Sequence, residues 1–416
     1  MRMVPGEDNV ITLTNEKEHD ERRKKMAAGY SGKDNLTLER DLDDCILDLC
    51  NLIESRYAVD AAAESSQLKP MDLARKIQYF TVDVMSKVSL GLNFHDLRDD
   101  NDNFEYINEI ETMFPKIFST CCTTRVLMFL TDIGFLKLFA PQATAKLGMG
   151  KVLAITQKLV AERFDAEKNV IVHKPNMLGS FMKHGLTQEQ AEQESVLQLL
   201  AGSDTSATGM RSTMFNLISN PRAYNKLMTE VDAAIAVGKI PRDLNQVISD
   251  SAARELPYLQ ACIKEGLRWL PLIVGMLAKK TPPQGDTIDG YFVPGGVSVA
   301  WSAKAIYQNT ALFGPDPKAF RPDRWIHTSE GGDEPSRDKI TAMEKNNDLI
   351  FGNGKYMCLG KPVAMLELNK LYVELLRRFE FGLMNPENGW LNPNGCFGIW
   401  FQKDLWVTVR RRNVSV

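Results

Sequence analysis

One cysteine in the stretch FGNGKYMCLGKPVAMLEL, residues 351 to 368, stands between two glycine-bearing turns and the start of an apolar-periodic run. Met365, Leu368, Tyr372, Leu375, Leu376 and Phe379 share one helical face, so Cys358 lies on a loop that enters a core helix. Aligned peptide dipoles and unpaired N–H groups at a helix start favour negative charge, which lowers a thiol pKa and suits a thiolate metal ligand. Gly354 and Gly360 remove Cβ atoms where a flat, bulky cofactor must approach the backbone. A cysteine beside glycines also reads more plainly, as a small residue buried at a turn.

A second set sits in AGSDTSAT, residues 201 to 208, where Asp204 places an acid beside the Thr205 hydroxyl. Gly202, and a threonine able to bond the carbonyl of Ala201 four residues back, both loosen a helix locally. The plainer alternative is a back-bonded mid-helix threonine with Asp204 on a solvated face.

The elements that must hold these groups follow from periodicity. Thr187 with Gln190 forms a capping-box start, and the run continues to Asn220-Pro221, where proline stops it. That gives roughly 30 helical residues, about 45 Å long. A second helix from about 255 to 270 carries Leu259, Ile263, Leu267 and Leu270 on one face. From Leu277 to Val299, Pro282-Pro283, Gly285, Gly290 and Pro294-Gly295-Gly296 punctuate short runs that predict a small sheet. With no repeat and no Gly/Ser linker, the 416 residues read as one domain, mainly α with small β-sheets.

Charge and cysteine usage exclude other classes. Lys plus Arg is 50 and Asp plus Glu is 53, giving a net charge of −3 with no basic tract for nucleic acid. Seven scattered cysteines make no disulfide framework and point to a reducing environment. The N-terminus lacks an apolar signal core, and the most apolar segment, residues 126 to 140, is broken by Asp132 and Lys137 and reads as a buried or interfacial helix.

The F-x-x-G-x-x-x-C-x-G spacing of Phe351, Gly354, Cys358 and Gly360 resembles the haem-binding loop of the cytochromes P450, the haem-thiolate monooxygenases. The family usually has a basic residue two before the cysteine; here that position is Tyr356, with Lys355 beside it as a substitute contact to a haem propionate. Glu265 and Arg268 resemble the family's E-x-x-R pair, and FRPDRW at 320 to 325 resembles the segment whose arginine, here Arg324, completes a buried Glu-Arg-Arg network. AGSDTSAT resembles the oxygen-binding element, with Ala201 against the haem and Asp204 and Thr205 delivering protons. HDERRKK at 19 to 25 resembles the helix that reaches the propionates through His19 and Arg23, and Lys279 stands where a further propionate contact is usually arginine. Arg22, Lys24 and Lys25 point elsewhere and are read either as a solvated face or as a docking surface for a reductase.

The match runs from about His19 to the C-terminus, and residues 76 to 94 are similar to fungal microsomal members such as the pisatin demethylases. The resemblance implies a P450 fold lacking its N-terminal anchor and first strands, and thus an N-terminally truncated haem domain. It implies haem held by the Cys358 thiolate, O2, a lipophilic small-molecule substrate from fungal secondary metabolism, NADPH-cytochrome P450 reductase, and the cytosolic face of the endoplasmic reticulum. A non-catalytic haem-binding remnant is the alternative. Leu200 and Ala201, Leu272 to Leu277, and Phe397 to Trp400 are expected to wall the substrate pocket.

Overall fold

The computed structural model describes residues 8–121, 146–165, 167, 169–171, 174–275, 278–327, 335–388, 390 and 398–412. The apolar segment at 126–140 lies outside them. No described helix is long and apolar enough to cross a membrane.

The helices that bear on the site are α1 (Glu16–Tyr30), α2 (Leu38–Arg56), α3 (Leu73–Met85), α4 (Gln188–Ser219), α5 (Pro257–Trp269) and α6 (Lys361–Arg378). The expected long helix is α4, 32 residues, opened by the Thr187–Gln190 capping box. Its ends are fixed by chemistry read from the sequence, since Asn220 caps the next helix and Pro221 starts it. Burial on α1 falls on His19, Arg22, Met26 and Gly29, one stripe of a helix whose Asn15 cap accepts from the Lys17 and Glu18 amides. By contrast α3 is buried on every face, because α4, α2 and the turn after it enclose it.

The strands are short and antiparallel. One sheet runs β1 (Met71–Asp72), β7 (Trp406–Arg411), β6 (Phe379–Leu383), with Met71 opposite Val407 and Phe381 opposite Val409. The small sheet expected at 277–299 is two separate ribbons: β2 (Lys279–Lys280) pairs β5 (Ser298–Val299), and β3 (Asp286–Ile288) pairs β4 (Tyr291–Val293). Gly290, at φ 80°, makes the tight turn between β3 and β4 that only the left-handed region allows.

Close approach shapes α4 more than local loosening does. The helix stays continuous α through Gly202, so the expected slackening of its backbone is not seen. A Cβ at Gly202 would lie 2.5 Å from the Met85 sulfur, so the glycine gives the Met85 side chain its present place between α3 and α4.

Candidate functional site

Cys358 sits two residues before Gly360, the N-cap of α6, and Pro362 lies in that helix's first turn. Its amide donates to the Phe351 carbonyl at 2.6 Å, closing the loop on itself. Gly354, at φ 57°, holds the left-handed turn that the loop needs. Gly360 has an ordinary φ of −77°, and a Cβ there would stand 3.6 Å from the Cys358 sulfur, beside the sulfur that a cofactor must reach.

The Gly360 and Lys361 amides and the Arg23 guanidinium favour the Cys358 thiolate, as the helix-start argument expects, but burial outweighs them and the thiol lies above its ordinary pKa. A metal bound at this sulfur would have to displace the thiol proton, with the two amides and Arg23 supporting the thiolate left behind. Among the described cysteines, Cys45, Cys50 and Cys262 are buried, whereas Cys358 is exposed. It opens onto a cavity of about 400 Å³ between α1 and α6, walled by Ala27, Tyr30, Leu359, Pro362 and Met365, with Arg23, Arg254 and Lys361 as its cations.

The groups expected around a propionate cluster on Tyr356. The His19 ring is 5.4 Å from the Tyr356 ring, and its Nδ1 is buried without a hydrogen-bond partner. The Lys279 ammonium lies 3.5 Å from the centre of the same ring. Lys355 pairs with Glu16 at 2.7 Å, and the Tyr356 hydroxyl donates to the other Glu16 oxygen at 3.2 Å. Arg23 instead donates to the Met357 carbonyl at 2.7 Å, next to the thiol. Phe351 is buried under the loop. Position 356 is thus a tyrosine whose ring carries the Lys279 ammonium, with Lys355 beside it paired to Glu16.

Of the three cations read as a possible docking face, Arg22 is not available. It is buried, and it pairs at 2.7 Å with Glu194 of α4, which also accepts from the Val10 amide. Lys25 donates to the Gly185 carbonyl, and Lys24 alone of the three is exposed.

On α4, the Thr205 hydroxyl donates to the Ala201 carbonyl at 2.8 Å and Ala201 is exposed, as expected. Asp204 is not on a solvated face: it is buried, and burial pushes its carboxyl up to about 6 against the opposing pull of Arg211 and a Gln78 hydrogen bond. Neither Ala201 nor Thr205 walls the Cys358 cavity, so the structure presents two groups of site residues. They are linked where α6 packs on α4: Tyr372 donates to the Gly209 carbonyl at 3.3 Å, and Glu367 lies against Ser206.

The Glu-Arg-Arg network forms in full. Arg268 grips Glu265 with two bonds of 2.8 Å, and Arg324 donates to it at 3.0 Å. Trp325 Nε1 and the Arg321 amide complete the carboxylate's shell at 2.9 and 2.8 Å. Arg268 also donates to the Tyr307 and Pro317 carbonyls. Tyr307 in turn donates to the Asn347 carbonyl, immediately before the turn that leads into the cysteine loop.

Of the expected pocket walls, Leu272–Val274 and Gly398–Trp400 are brought side by side, with Ile273 bridged to Ile399 and the Val274 amide bonded to the Gly398 carbonyl at 2.9 Å. Leu200 is buried. Met276, Leu277 and Phe397 lie outside the described residues.

Gln78, Arg211, Trp325 and Glu367 escaped the motif reading. Trp325 adjoins Arg324 in the motif itself, and Glu367 is an acid within the apolar run of α6. Glu367 is buried, and burial pushes its carboxyl up to about 8 against the weaker pull of the Ser206 hydroxyl beside it. A folded-state pKa raised above the unfolded one makes stability fall as pH rises through that interval, here from the ordinary carboxylate value to about 8. Glu367→Gln is expected to flatten this fall, seen as a smaller loss of denaturation midpoint between about pH 5 and about pH 8. An unchanged slope would show that Glu367 is paired or hydrated in solution.

The comparisons decide the family. The sequence profile described as Cytochrome P450 matches residues 2–403. The chain belongs to the cytochrome P450 family. It is 39% identical over 411 residues to cytochrome P450 monooxygenase ABA1 of Pyricularia oryzae, covering 99% of this chain and 77% of that protein. It is 34% identical over 414 residues to cytochrome P450 monooxygenase aba1 of Botryotinia fuckeliana, covering 98% and 77%. The crystal structure of the cytochrome P450DA heme domain superposes with a TM-score of 0.72 at 16% identity, over 99% of this chain and 81% of that one, which supports the fold.

As a P450, the protein is an oxygen-incorporating oxidoreductase with a haem iron held by cysteine thiolate. The donor set fits that group: a thiol open to a cavity, amides aimed at its sulfur, and cations gathered to one side of it. Mainly helical architecture with small antiparallel sheets is also the one expected from the sequence.

Proposed function

We propose that this P450 is a single haem domain that inserts one oxygen atom of O2 into a lipophilic small molecule of fungal secondary metabolism, with electrons from NADPH-cytochrome P450 reductase. Cys358 holds the iron, and bound haem supplies the redox chemistry of oxygen activation. His19, Arg23, Lys279 and Lys355 are the residues that would hold its carboxylates, Phe351, Gly354 and Gly360 shape the loop, and Ala201 would lie against it on the side of α4. A lipophilic substrate is supported by the apolar character of the residues expected as walls, Leu200, Leu272, Ile273 and Ile399. Residence on the cytosolic face of the endoplasmic reticulum belongs to the same reading, and Lys24 is the exposed cation of α1 best placed to steer an acidic reductase.

The observation that carries the reading is the exposed Cys358 thiol at the start of α6, with the Gly360 and Lys361 amides on its sulfur; Thr205 and Asp204 of α4 are read as its proton-handling groups. Thr205 is half-buried with its own proton committed to the Ala201 carbonyl, which leaves its oxygen free to accept and orient a donor. Asp204, its neighbour in sequence, is buried, and burial pushes its carboxyl up to about 6, from which it can both give and regain a proton.

Thr205→Ala removes the hydroxyl and leaves the thiolate, the pocket walls and the electron input. The variant is expected to keep the thiolate–CO spectrum and the parent's rate of NADPH consumption, while most electrons emerge as hydrogen peroxide. Asp204→Asn is expected to lower turnover itself, within the roughly 10²–10⁴-fold range typical of a lost general acid. Coupling of NADPH to product in Thr205→Ala as tight as in the parent would overturn the role given to this hydroxyl.

A further inference from the structure

Asp204 is buried against three elements. Gln78 comes from α3, Arg211 from two turns further along α4, and Tyr106 and Glu111 from the helix Tyr106–Cys121. Arg211 is fully buried and anchored through Nε to the Ala74 carbonyl at 3.0 Å. Its Nη2 donates to the Gln78 side-chain oxygen. A guanidinium can only donate, so this bond fixes the orientation of the Gln78 amide. The amide nitrogen must then face Asp204, and it donates to Oδ1 at 3.0 Å. Oδ1 is thereby committed as an acceptor. Oδ2 is buried with no hydrogen-bond partner.

We propose that Gln78 and Arg211 are positioning residues that fix the proton of Asp204 on Oδ2. This rests on reading Asp204 as the acid of the site. The neutral amide also separates Asp204 from the guanidinium. Direct pairing with Arg211 would hold the carboxylate ionised, whereas here burial outweighs the attraction of the more distant guanidinium and the Gln78 hydrogen bond and raises the carboxyl to about 6. Glu111 opposes ionisation through its charge, while its own contact at 3.0 Å is with Arg75.

The test is infrared titration of the haem-loaded protein, with the Asp204 carboxyl band isolated by subtracting the Asp204→Asn spectrum. The parent should show one sharp C=O band that disappears with a single midpoint as pH rises. Gln78→Leu removes the hydrogen bond that favours the charged form, so the midpoint should move up by about one pH unit and the band should change frequency. Should Gln78→Leu not fold, Gln78→Asn carries the same expectation, because its shorter side chain cannot span Arg211 and Asp204. Arg211→Lys keeps the charge but frees the amide to turn, and should split or broaden the band. A merely structural role for Gln78 would leave the midpoint unmoved in a folded variant, and a parent-like band and midpoint in the Gln78 variant would overturn the proposal. The wider reading fails separately: if Asp204→Asn turns over like the parent, Asp204 is not the acid, while the infrared result still decides how its proton is held.

Discussion

Cys358→Ser is expected to abolish the thiolate–CO spectrum of the haem-loaded protein entirely. Cys45, Cys50 and Cys262 are buried, with thiols pushed up by burial; Lys87 and Arg378 oppose this by charge at Cys45 and Cys50, but of these four cysteines Cys358 alone is exposed and has two backbone amides, of Gly360 and Lys361, beside the pull of Arg23. A serine oxygen at this position is a harder, poorer donor to iron, and its proton is far more tightly held. Haem retained by the pocket walls would then show the spectrum of a protein without a sulfur ligand. Cys396→Ser is the control and should leave the spectrum unchanged. Equal loss in both variants would remove Cys358 from the iron.

Glu265→Ala is expected to be the most damaging single change outside the cofactor loop, costing about 3–5 kcal/mol in denaturant unfolding. The carboxylate accepts from two guanidiniums, an indole N–H and a backbone amide, and all three ionic side chains are at most 2% exposed. Removing it leaves Arg268 and Arg324 as buried, like-charged neighbours. Glu265→Gln, which keeps an acceptor, should cost less than the alanine variant. A loss in Glu265→Ala of under about 1 kcal/mol, the scale of an exposed pair, would mean that water reaches the network and that it does not brace the loop.

The sequence disclosed this site unevenly, for physical reasons. Contacts closed within one element could be read directly: the Thr187 cap, the Thr205 bond to Ala201 and the Glu265–Arg268 grip all lie three or four residues apart on a helix. Contacts between distant elements could not. Gln78 reaches Asp204 across 126 residues and Arg22 reaches Glu194 across 172, and nothing local marks either as buried. Arg22 shows the difference plainly, since a basic run on a helix has the same period whether one of its members faces water or a carboxylate. The net pKa of Cys358 was similarly hidden, because helix-start polarity is local while burial depends on the whole fold. At Gly202 the residue was noticed but its use was not, since close approach requires a partner, here Met85.

The pairing of β1 with β7 carries a consequence for how the chain is made. Met71 meets Val407, and around this sheet Arg411 reaches back to Asp60, 351 residues earlier, as Lys370 reaches Glu39 across 331. During synthesis the first helices emerge long before these partners exist. Until then α2 leaves its Leu42, Ile46, Leu49 and Ile53 stripe only partly covered, and Glu39 and Asp43 lack the ammonium that lies between them in the finished protein. Closure of that sheet is therefore a late event governed by loop-closure entropy, and the stretch that precedes β7 must carry its uncovered apolar stripe until then.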